Sequence, residues 1–191
     1  WPAQAQSGEG ARFTQILDRE WKRLNSVQPL LAIYLGETSD RLWPDNSPEA
    51  REAEDTHYGE VLEELATFDP GQLSPANAVN LRLFRQQLEW QRQSQKHRLN
   101  LFTMNQREGL HTLATMADSI TFDSLDDYTR WVERLETFGV YADSEIAVLS
   151  EAIEKKRVQP RIIVERMLEA VRLQPALHQD PEKNPFYAPF A

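Results

Sequence analysis

The sequence predicts an all-α protein of about seven helices arranged in antiparallel hairpins. Three observations predict it. Leu, Ala, Glu, Gln and Arg dominate the 191 residues, and these are mostly strong helix formers. Glycine is sparse, at seven positions in the whole chain. Apolar residues recur every three or four positions rather than every second one, which is the period of a helix and not of a strand. With 40% hydrophobic and 27% charged residues, the chain is too apolar for disorder and long enough for a real core.

The first helix is expected from Ala11 to Ser26, with Phe13, Ile16, Leu17, Trp21 and Leu24 as one apolar stripe. Pro29 opens a short helical turn, Leu30 to Leu35, and Gly36 is placed to end it. Residues 37–46 form a polar loop anchored by Leu42 and Trp43. Ser47-Pro48-Glu49 then combines a capping hydroxyl, a first-turn proline and an acid, a strong helix start. That helix uses Tyr58, Val61, Leu62 and Leu65 and stops before Asp69-Pro70-Gly71. Ser74-Pro75 repeats the start, and Leu81, Phe84, Leu88 and Gln91 carry the next helix to about His97. The short link between the two predicts a helical hairpin.

Residues 99–123 have no clear period, although Leu110, Leu113 and Met116 could share one face of a short helix. Order returns at Ser124, with Asp127 completing a capping box. Tyr128, Trp131, Val132, Leu135 and Phe138 mark that helix, and Gly139 reads as its end. A separate helix from about Ala142 would carry Ile146, Leu149, Ala152 and Ile153, with Lys155-Lys156-Arg157 suited to its C-terminal dipole. Pro160 opens the last helix, through Ile163, Val164, Met167, Leu168 and Val171. The Pro-rich, aromatic stretch from Gln174 to Ala191 reads as an extended tail. The expected organisation is therefore a leader or signal remnant over 1–10 and a helical domain over 11–173. Within that domain, hairpin groups span 11–98 and 124–173, and 174–191 form a linker to a further part. The leader reading rests on Ala3-Gln4-Ala5, a small-x-small pattern of the kind that precedes signal cleavage.

Composition excludes several functions. A net charge of −9 repels phosphate backbones, so no nucleic-acid partner is expected. The basic residues alternate with acids, and Arg130 to Arg134 in particular reads as a solvated helix face. Without cysteine there is no disulfide, thiol catalysis or thiolate metal site. No apolar run approaches the roughly 20 residues that span a bilayer. The four histidines, His57, His97, His111 and His178, lack metal-ligand spacing, and neither a Gly-x-Ser-x-Gly elbow nor a phosphate loop is present. Acid clusters such as Glu60, Glu63 and Glu64 fit a solvated face. One segment stands out. Asn105, Gln106 and His111 bring two amides and an imidazole to a glycine-containing loop, a composition that could line a cleft or simply satisfy loop backbone.

Several separated pieces carry a further signal by their order. They are Leu35-Gly36 before Leu42-Trp43, Ser47-Pro48-Glu49, Leu73-Ser74-Pro75 leading to Asn80 and Leu83-Phe84, and Met104-Asn105-Gln106. Asp127-Tyr128 with Arg134-Leu135, Pro160-Arg161 with Val164-Glu165, and Pro185-Phe186-Tyr187 follow. In this order and spacing the chain resembles the N-terminal portion of the bacterial family known as domain of unknown function 885, from Ala11 to Phe190. The resemblance implies a helical, zinc peptidase-like protein, often exported to the periplasm or lipid-anchored, whose metal site lies on a His-Glu-containing helix of a C-terminal half. No residue here corresponds to that helix, so neither a catalytic residue nor a metal ligand is assigned, and zinc is implied only for the other half. What the resemblance leaves to this chain is a cleft-forming part, non-catalytic by itself, with Asn105, Gln106 and His111 as cleft candidates. Its partners would be the C-terminal half of the same protein and a peptide substrate. Glu108 departs from the small residue expected beside Gly109. The alternative is an independent helical module that binds a peptide or protein, and a cytoplasmic location is the alternative to export.

Overall fold

The computed structural model describes residues 8–177 and 184–190, and among them the chain is helical without a strand. Residues 1–7 of the expected leader, and 178–183 with His178, lie outside the described residues. The chain divides into two compact units, residues 1–24 with 47–99 and residues 25–46 with 100–191.

In the first unit, α1 (Gly8–Val27) contributes its N-terminal part beside α3 (Pro48–Ala66) and α4 (Pro75–Lys96), with a 3-10 turn at Pro70–Gln72 between the last two. Both Ser-Pro starts behave as expected. The Ser47 hydroxyl accepts from the Ala50 amide at 3.1 Å, and Ser74 accepts from Asn77 at 3.2 Å. Each cap satisfies an amide that the first helical turn leaves without a partner. Phe13, Ile16, Val61, Leu65, Leu81 and Leu88 close the core, and Phe68 meets Phe13 edge-on at 5.7 Å. Trp21, expected on that stripe, is instead 44% exposed.

Charged pairs cross from α1 to α3. Arg23 holds the Glu54 carboxylate through both terminal nitrogens, Arg19 reaches Glu64 at 2.7 Å, and Glu20 lies 2.6 Å from His57 Nε2. Burial alone would raise the Glu20 carboxyl. Hydrogen bonds from His57 and Arg19 outweigh it and hold the group below its ordinary value of 4.5. A carboxyl depressed in the folded state contributes stability above its unfolded pKa and loses it as the pH falls through the folded value. Acid titration of the thermal midpoint below about pH 4.5 should therefore fall less steeply for Glu20→Gln than for the parent chain. Equal slopes would remove Glu20 from the acid response.

In the second unit, α2 (Pro29–Tyr34) ends in a Schellman motif. Gly36, at φ +70°, donates to Ile33 O at 3.0 Å, and Glu37 donates to Ala32 O at 2.9 Å. A 3-10 segment, Leu110–Ser119, replaces the short helix expected there, and α6 (Arg161–Leu177) follows α5 (Leu125–Glu154). The aromatic end, expected to be extended, winds a 3-10 turn over Pro185–Phe190. Met116, Ala117 and Trp131 form the centre of a core that Leu30, Ile33, Phe122 and Phe186 cover.

The largest difference from expectation is α5. It runs unbroken from Leu125 to Glu154, through Gly139, so the two helices expected there are one. Continuity preserves the helical phase. The buried face follows Trp131, Arg134, Glu145, Val148 and Ala152, while Ile146 and Ile153 turn outward at 55% and 68% exposure. The Schellman end comes later, with Lys156 at φ 55° and Arg157 donating to Ala152 O at 2.8 Å. A Cβ on Gly139 would meet nothing within 4 Å. Gly139→Ala should therefore stabilise the protein by about 0.5–1 kcal/mol, the helical penalty of glycine. Chemical denaturation reads this directly, and a loss of stability would show that the helix breaks at this position.

Candidate functional site

The loop carrying Asn105, Gln106 and His111 is a self-organised turn. The Asn105 side-chain oxygen accepts from the amides of Arg107 at 2.8 Å and Glu108 at 3.1 Å, and the Asn105 amide donates to Glu108 O at 2.9 Å. This is the local bonding that asparagine favours in turns. Gln106 is exposed beside it. The buried Met104, whose carbonyl accepts from Gln159 at 3.0 Å, packs against Gly109. His111 is the second residue of the 3-10 segment, with both ring nitrogens shielded from solvent. None of these three residues lines the cleft described next.

That cleft, of about 330 Å3, lies between the end of α2 with its following loop and the entry to α5. Thr38, Ser39, Ser119 and Thr121 give it hydroxyls, and Arg130 and Arg134 give it two cations one helical turn apart. The α5 capping box fixes one wall. The Asp127 carboxylate accepts from the Ser124 hydroxyl at 2.7 Å, the Ser124 amide at 2.8 Å and the Asp123 amide at 3.1 Å. Hydrogen bonds from the Ser124 side chain and then its backbone hold that carboxyl below the usual range, so it stays ionised and engaged.

Arg134 corrects the solvated-face reading. It is only 3% exposed. Its Nη1 donates to the Leu42 carbonyl, and its guanidinium lies 5.2 Å over the Trp43 ring. Trp43 is itself fixed by stacking on Tyr141 at 4.6 Å and by donating to Arg134 O at 3.2 Å and Thr137 Oγ1 at 3.1 Å. Burial, and then the like charge of Arg130, bring the Arg134 pKa down to about 10, so it remains a cation at neutral pH. Arg130 Nη2 donates to the carbonyls of Ser39 and, at 3.1 Å, Arg41. Farther along the same face Glu145 is buried and accepts from the Asn46 side chain. Sequence reasoning missed these residues because charged positions on a helix are ordinarily solvated. The available signal was that Arg134 falls three positions after Trp131, on the same face.

A larger groove of about 640 Å3 follows α4 in the first unit, past Val79, Arg82, Arg85 and Glu89. It is open and presents both charge signs, without a set of converging donors. The smaller cleft has the better chemistry.

No three His, Cys, Asp or Glu side chains among the described residues are grouped so as to hold a metal ion. No described helix is long and apolar enough to cross a membrane.

Fold and site together define an all-α protein whose second unit has a hydroxyl-lined cleft that carries two arginines beside the carboxylates of Glu37, Asp123 and Asp127. A family model described as "Bacterial protein of unknown function (DUF885)" matches residues 29–191, and the chain belongs to that family. No curated protein and no solved structure gives a significant match.

Proposed function

We propose that this chain is the helical, cleft-forming part of a zinc metallopeptidase-like protein and is non-catalytic by itself. It receives and orients a peptide substrate, while a C-terminal half of the same protein supplies the metal and the general base. The observation that supports this reading best is the preformed cleft of the second unit, whose two arginines stand on the long, capped helix α5. Binding groups carried on a rigid helix orient a ligand without a large ordering cost. Asn105, Gln106 and His111 would add substrate contacts from their own loop.

The test is metal content and hydrolysis measured on two proteins. This chain, equilibrated with zinc and desalted, should retain far less than one equivalent and cleave no peptide. A protein joining it to the C-terminal half should do both, and Gln106→Ala should lower its kcat/KM. Stoichiometric zinc on this chain alone, or an inactive, metal-free joined protein, would sink the reading. The same reading places the protein outside the cytoplasm, periplasmic or lipid-anchored. Recovery in the cytoplasmic fraction of a bacterial host, from a gene with its natural start, would count against that.

A specific feature favours the alternative of an independent binding module. Val164, Leu168 and Val171 on α6 share one helical face and are 36–46% exposed. Tight capture of a peptide on α6, without any C-terminal half present, is the result that would favour it.

A further inference from the structure

We propose that the cleft of the second unit is a carboxylate-binding pocket, with Arg134 and Arg130 as the groups that hold the anion. The proposal rests on reading this cleft as a ligand site and adds the chemical class of what binds there.

The argument begins with an energetic anomaly. A guanidinium taken out of water loses hydration, which buried arginines ordinarily recover through a carboxylate partner. Arg134 is 3% exposed, yet the neighbouring charge that acts on it is the like charge of Arg130. Its polar partner is a neutral carbonyl, that of Leu42. Arg130 is likewise held by carbonyls, those of Ser39 and Arg41. Two cations one turn apart repel, and the carbonyl bonds and the Trp43 ring bring them no ionised partner. A bound anion would remove both costs together.

Among the described residues, the acidic groups nearest the pair do not fill that role. Asp127 is committed to the Ser124 cap. Asp40 feels the Arg130 charge, but it is held low first by a hydrogen bond from Ser26 and is fully exposed. Glu37 and Asp123 line the cleft but are solvent-exposed.

The shape of the pocket selects the anion. At about 330 Å3 it is near the small end of ligand pockets, which run from roughly 300 to 1,000 Å3. Arginine offers parallel N–H donors in a plane, the geometry a carboxylate accepts. The hydroxyls of Thr38, Ser39 and Thr121 add neutral donors. A peptide C-terminus and a small organic acid both present this group.

Isothermal titration calorimetry on the whole chain, without added metal, tests it with four probes: N-acetylalanine, N-acetylalanine amide, succinate and inorganic phosphate. N-acetylalanine should bind, and its amide should bind at least tenfold more weakly. Binding of succinate as well would assign the site to carboxylates in general, and its failure to bind would assign the site to a peptide C-terminus. Arg130→Gln, at a half-buried position, should keep the helical circular dichroism and lose affinity about tenfold or more. Arg134→Lys should do the same by replacing the planar fork with a point charge, and where it fails to fold, Arg130→Gln carries the test alone. Equal binding of acid and amide, no carboxylate binding, phosphate bound in preference to both acids, or unchanged affinity in folded Arg130→Gln would each overturn the proposal. Because neither zinc nor hydrolysis is measured, a negative result here is distinct from failure of the peptidase reading.

Discussion

Replacing Trp131 by alanine is expected to destabilise the protein by about 3–5 kcal/mol, the usual cost of truncating a fully buried tryptophan. Trp131 is 1% exposed and packs beside Met116 and Ala117. Phe122 meets it edge-on at 6.1 Å, and Phe186 lies at the same centroid distance. The indole also donates to the Phe186 carbonyl at 3.0 Å, so alanine removes both the packing and a donor to the C-terminal 3-10 turn. Against a typical total of about 5–15 kcal/mol, such a loss is large. Urea denaturation followed by circular dichroism measures it. Trp131→Phe separates the components, since it keeps an aromatic ring and loses the N–H, and it should cost less. A loss under about 1 kcal/mol for the alanine variant would mean that the second unit is not built around this side chain.

Gly109→Ala should cost about 2–4 kcal/mol, from two sources that add. Gly109 has φ +132° and ψ −171°, a region essentially reserved for glycine, where other residues carry about 1–3 kcal/mol of strain. A Cβ there would also come within 2.7 Å of Met104 Cγ. Met104 has little room to give, because it is buried and its carbonyl is held by Gln159. The change should lower the denaturation midpoint and speed exchange of the Asn105 amide, which donates to Glu108 O, and of the Glu108 amide, which donates to Asn105 Oδ1. Met104→Ala in the same background should recover part of the loss by removing the clash. Without any recovery, backbone strain alone would account for the effect.

These two sites differ in how much of them the sequence displayed. Trp131 was visible as a core residue because helical period and bulk both point inward. The caps at Ser47, Ser74 and Ser124 were visible because each depends on a few consecutive residues. Gly109 could be seen only as an interruption. Its conformation and its contact with Met104 depend on where Gln159, 55 positions beyond Met104, comes to lie. Gly139 misled for a related reason. A glycine after an apolar stripe has the composition of a helix end, whereas continuation is decided by whether the residues beyond it pack in the same phase, as Glu145, Val148 and Ala152 do.

The candidate site was the least legible part. Asn105, Gln106 and His111 attracted notice as polar groups in an irregular stretch, and their loop proves to be organised largely by its own bonds. The cleft that holds Arg130 and Arg134 gave almost no local sign, because a charged residue among other charges ordinarily faces water. Arg134 is buried because the loop carrying Leu42 and Trp43, 91 or more positions away in sequence, lies against α5.

By itself the sequence determined the helical class, the three serine-capped helix starts, the Gly36 stop and most core positions. Those features arise from propensity, periodicity and bonds within one or two turns of chain. Only the tertiary structure decided the continuity of α5, the burial of Arg134 and Glu145, and the pairing of residues 33–39 with 119–134 around a cleft. Each of these depends on segments that meet across long stretches of chain, where the dielectric surroundings of a charge are set by what packs over it rather than by its neighbours in sequence.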